Sequence, residues 1–361
     1  MPKDWLRLLY IRSLTTSAKR QLVELFGSPR AVFTASARQL KNIQGISASI
    51  TLEIQHPGPG VCTAIRSDLD LLRNIGAGYI GFCDPAFPTL LNQIPDPPLG
   101  LFVMGDTGLM QLPQVAVVGS RSASPAGLAT AREFGRGFGE SGLVVTSGMA
   151  SGVDSAAHLG CLEADAPTIA VLGTGIDRVY PASNRRLFQR ISKSGAVVTE
   201  FPPGAPARRH NFPRRNRVIS GLSLGTVVIE AGIRSGSLIT ARLAAEQGRD
   251  VFALPGPIRL PTSKGCHKLI REGATLVENP GDVLEDLRWE AKLLMAESSP
   301  TNHSVFSEDE NLIYNLIDYA PLGIDQLIDQ SRLTPARVSA ILVELELSGA
   351  IVETGSGYQK I

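Results

Sequence analysis

"VAVVGSRSASPAGLATAREFGRGFGES" at 115–141 reads as a strand, a turn and a helix in that order. Its apolar run, Val115 to Val118, has no polar alternation, as expected of a strand covered on both faces. The pattern recurs in "LVVTSG" (143–148), "TIAVLGTG" (168–175), "AVVTEF" (196–201), "TVVIEA" (226–231), "DVFALPG" (250–256) and "ATLV" (274–277). Helical stretches lie between several of these: "DSAAHLGCLEA" (154–164), "ASNRRLFQRISKSG" (182–195) and "GSLITARLAAEQG" (236–248). Strand–helix alternation of this kind predicts an α/β domain, Rossmann-like, with a mainly parallel sheet. Ligands of such sheets bind where the strands end at their carboxyl edge.

Upstream, residues 1–68 read as a helical domain. "DWLRLLYI", "TTSAKRQLVELFG" and "SARQLKNI" space their apolar residues by three and four. In "LKNIQGIS", Leu40, Ile43, Gly45 and Ile46 have the pattern of a helix-hairpin-helix turn. No Lys or Arg follows it, so a plain corner between helices comes first and a phosphate site second. A helix ("IRSDLDLLRNIGA") and strands at "GYIGFCD" and "LFVMGD" lead into the main domain, 69–288. Residues 289–304 lose periodicity and read as a linker. From 305 to 361 three helices and two short strands around Gly355-Ser356-Gly357 predict a winged helix. Its last helix carries Arg337 against Glu344 and Glu346, a face that repels a duplex and suits a protein contact or a structural role.

The chain has 361 residues and a formal charge of +1, so any attraction for polyanions must be local. Four scattered cysteines without a C-x-x-C pair suggest a reducing, cytoplasmic setting. Cys266-His267 lacks a second pair, so no metal is expected. No apolar run reaches membrane length, and the opening residues lack a signal-peptide pattern, so a soluble cytoplasmic protein is expected.

Local charge is concentrated in "PARRHNFPRRNRVISG" (206–221). Arg208, Arg209, Arg214, Arg215 and Arg217 fall within ten positions, with His210 and Phe212 among them. Between two buried strands, such a stretch reads as a basic loop that meets phosphates, with an aromatic to stack on a base. Pro202, Pro203, Pro206 and Pro213 stiffen it and reduce the entropy lost on binding. Four strand ends add small polar turns: "GSRSAS" (119–124), "TSGMASGVDSAAH" (146–158), "LGTGIDRVYPASN" (172–184) and "EAGIRSGSLITA" (230–241). In the first, Gly119 permits a tight turn, Ser120 adds a hydroxyl and Arg121 a forked cation. In the second, Asp154 is placed to cap the helix from Ser155. In the fourth, Ser235, Gly236 and Ser237 open a helix. All four should lie at one sheet edge and form a phosphate-binding groove.

Other chemistries find less support. "GRGFGESG" (135–142) imitates a dinucleotide fingerprint but precedes a strand instead of following one. No P-loop sequence occurs. Asp154 and His158, four residues apart on one helical face, form a possible dyad, although a capping Asp and a packed His explain them as well. Asp177, Glu200 and Glu230 are the other acids near strand ends.

The blocks "VAVVGSRSASPAG", "SGMASGVDSAAH", "TIAVLGTGIDRVYPASNRRL", "TEFPPGAPARRHNFPRRNRVISGLS", "VVIEAGIRSGSLITARLAAEQGRDVFALPG" and "KGCHKLIREGA" together resemble the DNA-processing protein A (DprA/Smf) family. The likeness is close over 115–277 and looser at both ends, where it implies a sterile-alpha-motif-like and a winged-helix module. It implies an extended Rossmann domain that binds single-stranded DNA, forms a homodimer and needs no cofactor. The implied role is non-catalytic: protecting incoming DNA and loading RecA on it during natural transformation. By resemblance, the binding residues are Arg121 with Gly119 and Ser120, then Ser147 and Gly148, and Arg209, Phe212, Arg214, Asn216 and Arg217. Ser151 departs from the Arg frequent at that position in the family, which shifts the burden onto 208–217. The alternative is a nucleotide-binding or nucleotide-hydrolysing enzyme of a related Rossmann-like family. Such enzymes typically carry a P-G-G-x-G-T segment, which is absent here.

Overall fold

The computed structural model describes residues 2–288, 308–317, 322–331, 333–347, 351–354 and 357–360. The chain divides into two compact units, Met1–Arg288 and Trp289–Ile361.

The first unit is built on nine strands: β1 (Ala77–Gly81), β2 (Gly100–Gly105), β3 (Gln114–Val118), β4 (Val144–Ser147), β5 (Thr168–Val171), β6 (Ala196–Thr199), β7 (Gly225–Val228), β8 (Asp250–Ala253) and β9 (Thr275–Leu276). They pair in the order β1-β2-β6-β5-β4-β3-β7-β8-β9. The β1–β2 and β2–β6 pairs are antiparallel, and all the others are parallel. Every residue of β3 to β7 is buried, which is why these runs lack alternation. Val115 pairs with Val145 on one side and Gly225 on the other. From β3 the chain builds outward through β4, β5 and β6, then crosses back to add β7, β8 and β9 on the opposite side. The strand order therefore reverses between β3 and β7, opening a crevice at their carboxyl ends.

Fourteen α-helices belong to this unit among the described residues. Six precede the sheet: α1 (Pro2–Leu9), α2 (Thr16–Phe26), α3 (Pro29–Thr34), α4 (Ala37–Lys41), α5 (Ala48–Gln55) and α6 (Pro59–Asn74). The others are α7 (Thr89–Asn92), α8 (Pro125–Glu140), α9 (Val153–Glu163), α10 (Arg185–Ser194), α11 (Asn211–Leu222), α12 (Ser237–Glu246), α13 (Lys264–Arg271) and α14 (Pro280–Asp286). The leading helices share one hydrophobic core with the sheet. Trp5 lies against Gly81, where a Cβ would fall 2.1 Å from the indole. Arg20 of α2 donates to Pro98 O (2.9 Å) and Asn92 Oδ1 (2.6 Å) and covers the Phe82 ring. At the α4–α5 corner Gly45 has φ +86°, and Ser47 caps α5 by accepting from Ile50 N. The glycines of "GRGFG" serve helix packing: a Cβ on Gly135 would lie 2.1 Å from Ala157 O of α9.

The basic stretch departs from expectation. Read as a loop, it is a loop only to His210; residues 211–222 form α11. Pro213 falls in the first turn, where the missing N–H costs no intrahelical bond.

The second unit contains α15 (Glu308–Leu316), α16 (Ile324–Ser331), α17 (Pro335–Leu347) and an antiparallel pair, β10 (Ile351–Thr354) and β11 (Gly357–Lys360). Ile313, Leu327, Val338, Ile341, Leu345 and Ile351 form its buried centre. Arg337, the arginine noted on the last helix, pairs with Asp309 at 3.1 Å. The expected linker, 289–304, lies outside the described residues. Among the described residues no helix is long and apolar enough to cross a membrane. All four cysteines are free thiols, Cys161 and Cys266 buried, Cys62 and Cys83 exposed.

Candidate functional site

A cavity of about 760 Å³ occupies the crevice between β3 and β7. Four segments frame it: the turn after β3 with Gly119, Ser120 and Arg121; the turn after β7 with Arg234 to Ser237; Tyr180 from the loop after β5; and Arg209 to Asn216 at the start of α11.

Glycines let these segments approach one another. Gly152 has φ +83°, and a Cβ there would fall 2.2 Å from Ser120 O. A Cβ on Gly119 would strike Val153 at 2.6 Å. Ser120 N donates to Glu230 O at 2.6 Å, tying the β3 turn to the end of β7. The Glu230 carboxylate accepts from Ser124 N (3.0 Å) and Ser124 Oγ (2.5 Å). Glu230 therefore holds the turn that carries Arg121 and has a structural task. Asn211 anchors the α11 entrance by donating to Gly173 O (3.0 Å) and Pro206 O (3.3 Å).

The arginines divide by environment. Arg121, Arg209 and Arg234 are exposed on the cavity rim. Among the described residues no carboxylate lies within ion-pair distance of these three. Arg215 forms part of the lining but is buried; it donates to Gly148 O (2.6 Å) and to Val171 O. Burial lowers its pKa to about 10, the Asp154 charge acting in the opposite direction. Its Nε donates to Asn216 Oδ1 at 3.1 Å, and Asn216 donates onward to Gly236 O.

Of the residues singled out by sequence, Gly119, Ser120, Arg121, Arg209, Phe212 and Asn216 converge on the cavity. Four do not. Ser147, the last residue of β4, is fully buried and its hydroxyl donates to Val117 O of the neighbouring β3 at 2.6 Å. At Gly148 a Cβ would collide with the Arg215 guanidinium at 2.5 Å, so the small residue admits that arginine. Arg214 and Arg217 face away and meet on Glu200, at 3.0 and 2.5 Å. Arg217 is buried, reaches Asp96 as well, and binds inside the fold.

Asp154 and His158 form no dyad, and His158 is the packed histidine that the sequence also allowed. The Thr168 hydroxyl donates to Val145 O (2.6 Å), so it accepts from His158 Nδ1–H (2.8 Å). His158 Nε2 is then a buried acceptor without a partner. Burial, with Arg215 nearby, lowers the His158 pKa to about 3 and keeps the ring neutral. Asp154 does not cap its helix with a side-chain bond at the cap position; it accepts from Ala150 N at 3.2 Å and pins the turn before α9. Burial raises its pKa, against the pull of Arg215. Asp177 accepts from Gly204 N at 2.8 Å, joining two loops. Among the described residues no cluster of His, Cys, Asp or Glu is arranged to hold a metal ion.

Two rim residues escaped the sequence reading. Tyr180, half exposed, lies 5.4 Å from Phe212 between ring centroids, tilted by 42°. The Arg121 guanidinium stands 5.5 Å from the same Phe212 ring. Tyr180 carried one signal, an aromatic in a strand-end turn. Arg234 stood inside a turn noted only for its serines and glycine.

A family model described as DNA recombination-mediator protein A matches residues 78–288, and one described as DprA winged helix domain matches 296–357. Protein Smf of Escherichia coli is 41% identical over 284 residues, 76% of this chain and 75% of its own length. The DNA processing protein DprA of Streptococcus pneumoniae is 46% identical over 206 residues, 57% of this chain and 73% of its own. A crystal structure of the Streptococcus pneumoniae protein superposes with a TM-score of 0.65 at 36% identity, covering 79% of this chain and 97% of that one. A solved structure of DNA processing protein A from Helicobacter pylori, described for its single-stranded DNA binding mode, gives 0.54 at 28% identity, with 59% of this chain and 96% of that one covered.

Proposed function

Because the chain belongs to the DNA recombination-mediator protein A (DprA/Smf) family, we propose that it binds single-stranded DNA in the β3/β7 cavity and acts in DNA processing. The observation that carries this reading is the rim itself: Arg121, Arg209 and Arg234, unpaired and exposed, beside the Phe212 and Tyr180 rings. Cations for phosphates next to aromatic faces for bases are the two components of sequence-tolerant single-strand binding. A duplex hides its base faces and forfeits the second component. The Helicobacter pylori relative, with its single-strand binding mode, supports the choice of ligand.

In this reading Arg121 and Arg209 hold backbone phosphates while Gly119 and Ser120 allow close approach. Arg215 and Asn216 form the floor, and Asp154 keeps the neighbouring turn in place. The protein performs no chemistry on its ligand. The only His–Asp pair raised by the sequence is locked into structural bonds, which supports that view. By family resemblance the finer role is cytoplasmic, in natural transformation: a homodimer formed through the Rossmann-like domain shields incoming strands and passes them to RecA.

The test is fluorescence anisotropy of a labelled poly-dT strand and of a matching duplex, across a salt series, with wild type and an Arg121→Ala, Arg209→Ala double variant. Tighter binding of the single strand, weakened in the variant, supports the reading. Equal binding of both DNAs with no effect of the variant overturns it and directs attention to free nucleotides. RecA loading is read separately, as faster filament assembly on a strand precoated with this protein.

A further inference from the structure

We propose that the outer face of α10 is a second tract for the phosphate backbone, over which a single strand longer than the β3/β7 cavity continues. The tract rests on the single-strand reading above and extends it beyond the cavity.

α10 reads "RRLFQRISKS": four cations, Arg185, Arg186, Arg190 and Lys193, and no acid. Leu187, Phe188 and Ile191 are buried and attach the helix to the sheet. Arg186, Arg190 and Lys193, four and three residues apart, share the opposite face and form a stripe about 10 Å long. All four cations are exposed. Among the described residues none of them lies within ion-pair distance of a carboxylate. Arg190 reaches only Leu162 O of α9, at 3.5 Å. Glu163, the acid that follows on α9, is held by Arg132 and, at 3.6 Å, by Arg136 of α8. A helix face that serves solubility alone mixes both signs. This one also opens on two arginines in its first turn, where the helix dipole disfavours cations. An anion beside them reverses that cost.

Position ties the stripe to the cavity. α10 joins β5 to its parallel neighbour β6, so it starts at the carboxyl edge, where the cavity lies, and runs back along the sheet. Pro181 and one 3-10 turn, Ala182–Asn184, separate it from Tyr180 on the cavity rim. Asn184 donates to Met149 O and Ser155 Oγ, both at 2.8 Å, which fixes this end of the helix against the turn after β4. A strand that leaves the cavity past Tyr180 therefore meets Arg186 first, then Arg190 and Lys193. The only aromatic of α10, Phe188, is buried, so the tract adds charge contacts and reads no base.

The experiment measures anisotropy of labelled dT strands of about 6 and about 20 nucleotides across a salt series. It uses the full chain as wild type, as an Arg186→Ala, Arg190→Ala, Lys193→Ala triple variant, and as the charge-keeping Arg186→Lys, Arg190→Lys variant. Thermal unfolding confirms that the variants fold. Wild type should bind the long strand with a steeper salt slope than the short one. The alanine variant should lower the long-strand slope by about 2, three contacts at about 0.7 each, and leave short-strand binding unchanged. The lysine variant should bind both strands like wild type. An unchanged long-strand slope in the alanine variant overturns the tract and gives the face to a different anionic partner. An equal loss on both strands also overturns it, because α10 would then only shape the cavity. Failure of wild type to bind either strand would instead overturn the single-strand reading on which the tract rests.

Discussion

On one side of α11, Phe212, Arg215 and Asn216 border the cavity; on the other, Arg214 and Arg217 converge on the buried Glu200. The sequence shows the same side chain at 208, 209, 214, 215 and 217. The structure uses it in two ways. Arg209, with Arg121 and Arg234, stays exposed beside the cavity, with no carboxylate in ion-pair range among the described residues. Arg215 and Arg217 are buried and spend their donors on carbonyls and carboxylates within the fold. A run of like charges in sequence therefore does not measure the charge presented to a ligand. What counts is which guanidinium groups the fold leaves without an internal acceptor.

The division predicts opposite responses to the same substitution. Arg217→Ala should have the largest effect on stability, about 3–5 kcal/mol, because Glu200 would stay buried with only half-exposed Arg214 as partner; urea unfolding measures it. Arg215→Ala should cost about 3 kcal/mol in the same assay, as it strips buried carbonyls of their donor. Arg214→Ala should cost about 0.5–1 kcal/mol, since its end of the pair is half in water. Arg121→Ala with Arg209→Ala should leave unfolding unchanged and lower the salt slope of single-strand binding by about 1.4, two contacts at about 0.7 each. Loss of stability in that double variant, or none in Arg217→Ala, would break the comparison.

His158 sharpens it from another direction. Its native pKa of about 3 lies below the ordinary value of 6.5, so between these values the unfolded chain binds a proton that the folded one refuses. Its contribution to stability is complete above about pH 6.5 and is lost as the pH falls toward 3, by up to about 1.4 kcal/mol per unit. His158→Gln should flatten this limb of the stability–pH profile. An unchanged profile would mean that His158 gains a proton without penalty.

Much of the fold was legible because buried parallel strands announce themselves. β4, β5, β6 and β8 fall within the apolar runs read from sequence, β3 and β7 begin one residue before theirs, and the Gly-rich turns after β3 and β7 do meet at one edge. The start of α11 was hidden because a proline and four polar residues occupy its first turns, where helix periodicity is weakest and proline is tolerated. Ser147 was named by resemblance alone, and its bond to Val117 O joins positions 30 residues apart that no local pattern links. The partners of Arg214 and Arg217 were illegible for the same reason. Glu200 and Asp96 lie far along the chain from one or both arginines, and no local pattern links them. Tyr180 became visible as a site residue only when the loop after β5 was seen to touch α11.

The most direct measurement is hydrogen exchange of the full chain with and without a saturating dT strand. The account predicts slowed exchange in four segments, residues 119–122, 178–181, 208–213 and 232–237, which come together only at the β3/β7 crevice. Slowing confined to residues 308–360, or to the α4–α5 corner, while the strand is demonstrably bound, would contradict it.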